Sequence, residues 1–210
     1  DLDRPDLVLA FCNSQLDPDA FLTGLQSVVG AETPIIGGSA IGILTNDALS
    51  YEGYPAGIAI LQSDALRCKI AAAGALDQDE RQAGRELAQK LRCAPEDKLL
   101  LLFYDSIKIP ATETSPPVMN ASPLLIGGIE ETFDLNVPMI GAGVLGDFAF
   151  GPTKQFCGDY VGSQTVVGAL LAGNFEPYFR IMHGCTPMDG VYHTITRIEG
   201  AVIYELDGKP

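Results

Sequence analysis

The chain has 210 residues, 47% of them apolar, and a formal net charge of −14. That length fits one large domain or two small ones with a sizeable core, and the negative charge opposes phosphate backbones and anionic lipid surfaces. No nucleic-acid partner and no membrane insertion are expected. Five cysteines (Cys12, Cys68, Cys93, Cys157, Cys185), odd in number and without a C-x-x-C pair, point to a reduced cytoplasm rather than to disulfide staples. The opening DLDRPD has neither the basic nor the apolar region of a secretory signal, and the apolar runs near Leu99 and Val166 fall short of the about 18 residues a bilayer span needs.

In chain order, Leu7 to Cys12 reads as a buried strand from its nearly unbroken apolar character. Asp17-Pro18 opens a helix, because the carboxylate can cap free amides while proline fits the first helical position. Phe21, Leu22, Leu25, Val28 and Val29 form its apolar stripe, and Gly30 suits the left-handed position past its end. Thr33-Pro34 leads into a second strand ending in the Gly37-Gly38-Ser39 bend. Ser50 to Ser63 and Leu66 to Gly74 are predicted strands about an Asp64 turn. Asp79 to Arg92 is a predicted surface helix, since Ala83, Leu87 and Leu91 recur every four residues.

Leu99 begins another strand, and Ser122-Pro123 repeats the cap-plus-proline device before Leu124, Leu125, Ile126, Ile129 and Phe133. The connection between them, Tyr104 to Ala121, carries Pro110, Pro116 and Pro117 and is long for a compact domain. It is either a lid, with Asn120 among its polar groups, or an ordinary excursion. Gln164 to Ala172, Pro177 to Met182 and Val191 to Ile198 are predicted strands, the last forming a hairpin with Ala201 to Leu206 through Glu199-Gly200.

A stretch of the chain occurs twice. Ala20 to Gly42 lies without a gap on Leu124 to Gly146, with PIIGGSAIG against PMIGAGVLG at its core, and DLVLAF answers KLLLLF upstream. The expectation is an α+β fold of internally duplicated strand-helix-strand units, in mixed sheets with helices packed outside. Residues 1–180 would hold two related halves, 6–75 and 98–175, bridged by the helix at 79–92. Residues 181–210 would open a further region, and the stop directly after a strand suggests a fragment of a longer protein.

Gly141 to Gly146 fits the dinucleotide pattern G-x-G-x-x-G, but it runs into Gly151-Pro152 where a helix should begin, so no dinucleotide site is expected. Ser39 is one residue short of a nucleophile elbow, because position 41 is isoleucine. His183, Cys185 and His193 fall short of a zinc ligand set. No nucleophile, base and orienter come together in the sequence, and no catalytic residue, metal or cofactor is assigned. What remains is the glycine pairs at strand ends, which allow close backbone approach and are candidates for lining a crevice shared by the halves.

Several ordered elements together resemble the FIST domain family. They are Ile36 to Gly42 (IGGSAIG), Ile140 to Asp147 (IGAGVLGD), His183-Gly184-Cys185-Thr186-Pro187 and the run from Thr196 to Pro210. The resemblance covers nearly the whole chain, as an N-terminal part with the opening of a C-terminal part. It implies a ligand-sensing input module of a signalling protein, working with an output domain or partner protein. The ligand would be a small polar metabolite such as an amino acid, held near Gly37, Gly38, Ser39, Gly141, Ala142, Gly143, Asp147, Asn120 and Cys185. Gly38 stands where many members carry cysteine, and Gly42-Ile43 where many carry Gly-Glu. A hydrolase using Ser39 or a cysteine with His183, or a protein-interaction scaffold without small ligand, are the alternatives.

Overall fold

The computed structural model describes residues 4–133, 136–181, 184–186, 190–199 and 202–210. The chain forms two units, Asp1–Pro177 and Tyr178–Pro210. The first begins with β1 (Leu7–Cys12), α1 (Pro18–Val29), β2 (Ile35–Ser39), a small hairpin of β3 (Ile43–Leu44) and β4 (Leu49–Ser50), then β5 (Ala56–Leu61), β6 (Leu66–Ala73) and α2 (Glu80–Leu91). It continues with β7 (Asp97–Asp105), a second small hairpin of β8 (Ile107–Ile109) and β9 (Val118–Met119), α3 (Ser122–Glu130), β10 (Met139–Val144), β11 (Gln155–Cys157), β12 (Tyr160–Gly162) and β13 (Val166–Gly173). The second unit holds an antiparallel pair, β14 (Ile195–Glu199) and β15 (Val202–Leu206). No described helix is long and apolar enough to cross a membrane.

Two mixed sheets carry the first unit, ordered β12-β11-β2-β1-β5 and β10-β7-β13-β6. The period of two along each strand sends alternate side chains to opposite faces. In the first sheet Val8, Ala10, Cys12, Ile35 and Phe156 turn outward to Leu22 and the stripe of α1. In the second, Leu100, Leu102, Val166 and Leu170 turn outward to Leu87, Leu91, Leu125 and Ile129 of α2 and α3. The other faces meet each other: Leu7 and Ile36 pack with Val167, Ala169 and Leu171. The result is four layers, helix, sheet, sheet, helices, and an α+β fold.

The two parallel strand pairs have matching registers. Ala10 lies opposite Gly37 in β1 and β2, and Leu102 lies opposite Gly141 in β7 and β10. A Cβ on Gly37 would sit 1.8 Å from the Ala10 carbonyl oxygen, and one on Gly141 would sit 1.9 Å from that of Leu102. The halves are not separate bodies, however. β6 is the edge of the second sheet beyond β13, while β11 and β12 join the first sheet through β2.

Local chemistry explains where two of the helices start. Asp17 accepts from the Asp19 and Ala20 amides at 3.0 and 3.1 Å, starting α1, and Asp79 accepts from Gln82 at 2.9 Å, starting α2. The expected cap at Ser122 is not formed. The N-cap of α3 is Ala121, with Ser122 already helical, and no side chain caps it. Instead the Glu80 carboxylate of α2 receives the Ala121 amide at 3.3 Å. The described residues 177–181 form no strand, and the strand expected from Val191 begins only at Ile195. The Glu199-Gly200 turn itself lies partly outside the described residues.

The long connection after β7 is tied down at several points. Asn120 Nδ2 donates to the Asp105 carbonyl at 2.7 Å and to Gln164 Oε1 at 3.2 Å, and Lys108 Nζ reaches Glu80 Oε1 at 2.8 Å. Burial would raise the Glu80 pKa, but the hydrogen bond and charge of Lys108 and the backbone amides hold it below its ordinary 4.5. Lys108→Met therefore strands a carboxylate whose side chain is only 8% exposed, and should cost about 2 to 4 kcal/mol in urea unfolding at neutral pH. Because the folded value is lowered, the pair contributes above the ordinary carboxylate range and loses its contribution as pH falls through the lowered value. The deficit of the variant should shrink in acid, and a deficit independent of pH would assign the loss to packing alone.

The helices distinguish the halves. Gly24 in α1 and Gly128 in α3 align in the repeat, yet a Cβ at Gly24 meets nothing within 4 Å, whereas one at Gly128 would sit 2.0 Å from the Arg81 carbonyl oxygen of α2. Gly24→Ala should stabilise by about 0.5 to 1 kcal/mol through helix propensity. Gly128→Ala should destabilise, because the main chains of α2 and α3 cross there. Thermal melts of the two variants moving in the same direction would contradict this packing.

Candidate functional site

β1 and β7 each deliver a phenylalanine to the layer between the sheets. Phe11 lies opposite Gly38 and Phe103 opposite Ala142, so the two occupy matching places in their strand pairs. Their rings meet edge to face, with centroids 5.0 Å apart and planes at 85°. Beyond them opens a cavity of about 660 Å³.

The ends of β2 and β10 form two walls of this cavity, as Ser39 to Gly42 and Ala142 to Leu145. The remaining wall comes from Ile43 and Tyr51 at the β3–β4 hairpin and from Ile58 of β5. The lining contains no aspartate, glutamate, lysine, arginine or histidine. At the mouth, the Tyr51 and Phe148 rings stand 6.5 Å apart, and Leu44 and Phe148 are largely exposed.

The first bend is stitched in place. The Ser39 amide donates to the Lys154 carbonyl at 2.8 Å, the Lys154 amide returns to Ser39 Oγ at 2.9 Å, and the Ala40 amide donates to Cys12 at 2.8 Å. Beyond that point both donors and acceptors are unspent. Among the described residues, the amides of Ile41, Gly42 and Leu145 and the carbonyl oxygens of Ala40, Ile41, Gly42 and Leu145 have no protein hydrogen-bond partner, and the Ser39 hydroxyl hydrogen has no acceptor.

The nine residues proposed from the sequence separate into distinct environments. Ser39, Ala142 and Gly143 line the cavity. Gly37, Gly38 and Gly141 lie behind it, where close backbone contact sets the frame: a Cβ on Gly38 would lie 2.4 Å from the Lys154 carbonyl oxygen. The Asp147 carboxylate closes its own loop, accepting from the Ala149 and Gly151 amides at 2.9 and 3.1 Å and from Ser14 Oγ at 3.3 Å. Asn120 is buried at the base of the β8–β9 connection, its Oδ1 unpartnered among the described residues, and no residue of that connection lines the cavity. Cys185 is exposed in the second unit.

Sequence reasoning missed Phe11, Phe103, Tyr51 and Ile58 as lining residues. A signal existed for two of them, since both aligned segments, DLVLAF and KLLLLF, end in phenylalanine.

The groups available for nucleophilic chemistry are spread out. His183 lies outside the described residues, and the segment Asp1–Pro177 contains no histidine. His193 does have the acidic partner that the sequence did not indicate: its Nδ1 lies 2.6 Å from Asp207 Oδ2, within the second unit. Burial pushes the Cys12 and Cys157 thiols up to about 11, and burial together with neighbouring Cys157 and Asp6 pushes Cys68 up to about 12. These thiols stay protonated near neutral pH. Among the described residues no three metal-ligating side chains converge.

A two-sheet module with glycine-framed bends around one cavity thus accounts for Asp1–Pro177. The sequence matches the FIST N domain over residues 6–209, and the chain belongs to that family of sensory domains implicated in signal transduction. The match runs on through the second unit. The chain is also 27% identical over 173 residues to "Uncharacterized protein MJ1623" of Methanocaldococcus jannaschii, an alignment covering 81% of this chain and 33% of that protein. It therefore spans about a third of the relative's length. No solved structure matches.

Proposed function

We propose that this chain is the ligand-sensing input module of a signal-transduction protein, and that the cavity between the Ser39–Gly42 and Ala142–Leu145 bends takes a small metabolite. One observation carries the reading: two segments far apart in sequence, matched in register by Gly37 and Gly141, bring their ends to the same cavity. The cavity volume lies within the range of small-molecule sites, and unpartnered backbone amides and carbonyls sit at the bends while its walls are apolar. The matching registers also favour duplication of an ancestral strand-helix-strand unit. Signal output would pass to a further domain or a partner protein in the cytoplasm, and the ligand would leave chemically unchanged.

A thermal-shift screen of small metabolites tests this. A ligand at 100 times its Kd adds about 2.7 kcal/mol, which for a chain of this size is a shift of about 5 to 10 °C. Ala142→Trp places a large side chain in the cavity from an exposed strand position, and should abolish the shift while leaving the circular dichroism spectrum unchanged. A shift that survives in this variant would place the ligand elsewhere. No shift with any metabolite would favour the scaffold reading.

A further inference from the structure

We infer that two copies of this chain join edge to edge through β5, the two strands running antiparallel about a two-fold axis beside Ile58. The pairing is independent of what the cavity holds. Free sheet edges are normally guarded by charge, proline, a bulge or shortness. On one side of the two sheets, β6 carries Arg67 and Lys69, and β12 is only three residues long. On the other side, β5 and β10 are six residues each and contain no charged residue and no proline, and the register of β5 on β1 runs unbroken. Both flank one opening: β5 lies beyond β1 and β10 beyond β7, where Phe11 and Phe103 meet, and both strands line the cavity.

The open edge of β5 has backbone groups to spare. Asn13 donates to the Pro55 carbonyl at 2.9 Å, and the alternation of an antiparallel pair then turns the backbone groups of Gly57 and Ala59 to β1 and those of Ala56, Ile58 and Ile60 away from it. Among the described residues nothing pairs with those outward amides and carbonyls. A second β5 turned about the axis sets Ile58 opposite its own copy and Ala56 opposite Ile60, so that each residue can exchange both hydrogen bonds with its opposite. The side chains fit as well. Ala56, Ile58 and Ile60 share one face of the strand, the large Ile60 meets the small Ala56, and no like charges are brought together.

The surface beside this edge has the area that a folded partner needs. Leu44, Leu49, Tyr51, Ile58, Ile60 and Phe148 are 40 to 77% exposed, and at roughly 200 Å² for each when fully exposed they present about 700 Å² per copy. They are contiguous: Leu44 lies opposite Leu49, the Tyr51 ring neighbours that of Phe148, and Leu44, Tyr51 and Ile58 border one cavity. A standard interface takes about 800 Å² from each partner, whereas the largest patch on a typical monomer is about 300 to 600 Å². A two-fold axis normal to the sheets also turns β10 toward its own copy. One second molecule thus meets both open edges, which a lone peptide strand cannot do.

Sedimentation of the chain across the micromolar range should show the 22.3 kDa monomer passing to a species of twice that mass and no further. The net charge of −14 opposes association at long range, so added salt should tighten the dimer. Ile58→Lys and Ile58→Glu each set like charges on the axis and should each weaken the dimer at least about a hundredfold while keeping a cooperative melt. An equimolar mixture of the two should dimerise again, because lysine then faces glutamate. In the unaltered protein the amides of Ile58 and Ile60 should gain protection from hydrogen exchange as concentration rises, a readout that needs no variant. A chain that stays monomeric throughout overturns the proposal and leaves the edge for a strand of another protein. Growth past the dimer overturns it too, as does a dimer that loosens in salt or leaves the Ile58 amide exchanging as fast as in the monomer. A mixture of folded Ile58→Lys and Ile58→Glu chains that stays monomeric is equally decisive against it.

Discussion

Gly37→Val should leave the protein without a cooperative thermal transition. Gly37 sits at φ +152°, and its missing Cβ would lie 1.8 Å from the Ala10 carbonyl oxygen and 2.8 Å from the carbonyl carbon. The obstacle is main chain of the neighbouring parallel strand, which cannot rotate away as a flexible side chain can. Relief requires β2 to move off β1, and β2 also holds β11 on its other side. Gly141→Val should behave alike, since its Cβ would lie 1.9 Å from the Leu102 carbonyl oxygen. Substitutions of this kind exceed the ordinary range of about 0.5 to 3 kcal/mol for point changes, and in a protein stabilised by about 5 to 15 kcal/mol they can prevent folding. A sharp melt within a few degrees of the parent for Gly37→Val would show that the strands are not held at this distance.

Phe156→Ala should be the most damaging of the side-chain truncations on the α1 side of the first sheet. Phe156 is fully buried, packs beneath α1 with Val8, Ile35 and Leu22, and meets the Phe21 ring with centroids 6.0 Å apart. Truncating a buried phenylalanine costs about 3 to 5 kcal/mol, which combines the lost transfer energy with the cavity left behind. At about 2 to 4 °C per kcal/mol the melting temperature should fall by about 6 to 20 °C. Phe148→Ala, at a residue 72% exposed, should change stability by less than about 0.5 kcal/mol. Equal effects of the two would mean that the three-residue strand β11 is not part of the cooperative core.

That strand marks the limit of what the sequence revealed. β1, α1, α2 and β7 were legible because each carries its own signal, an apolar run or a four-residue spacing behind a capping aspartate. β11 and β12 are three residues each, separated only by the Gly158-Asp159 turn, and exist as strands only because β2 offers an edge. Their pairing is set by tertiary neighbours, which no local window contains. Ser122 misled for a similar reason. Its spacing from the apolar run was right for a cap, but a carboxylate from α2 already met the adjacent amide. At the site, the bends were visible as glycines. The walls were not, because Phe11, Ile58 and Phe103 are ordinary core residues in sequence and become lining only where the inner layer opens.

The contacts behind Gly37 and Gly141 are between backbone atoms, whereas the cavity is lined by side chains from the hairpin, the edge strand and the bend tips. Geometry and chemical preference are thus written in different residues. Exchanging Ile43, Ile58 or Leu145 alters what the cavity welcomes while the strands that shape it stay in register. A lineage built on this frame can change what its cavity fits without having to fold anew.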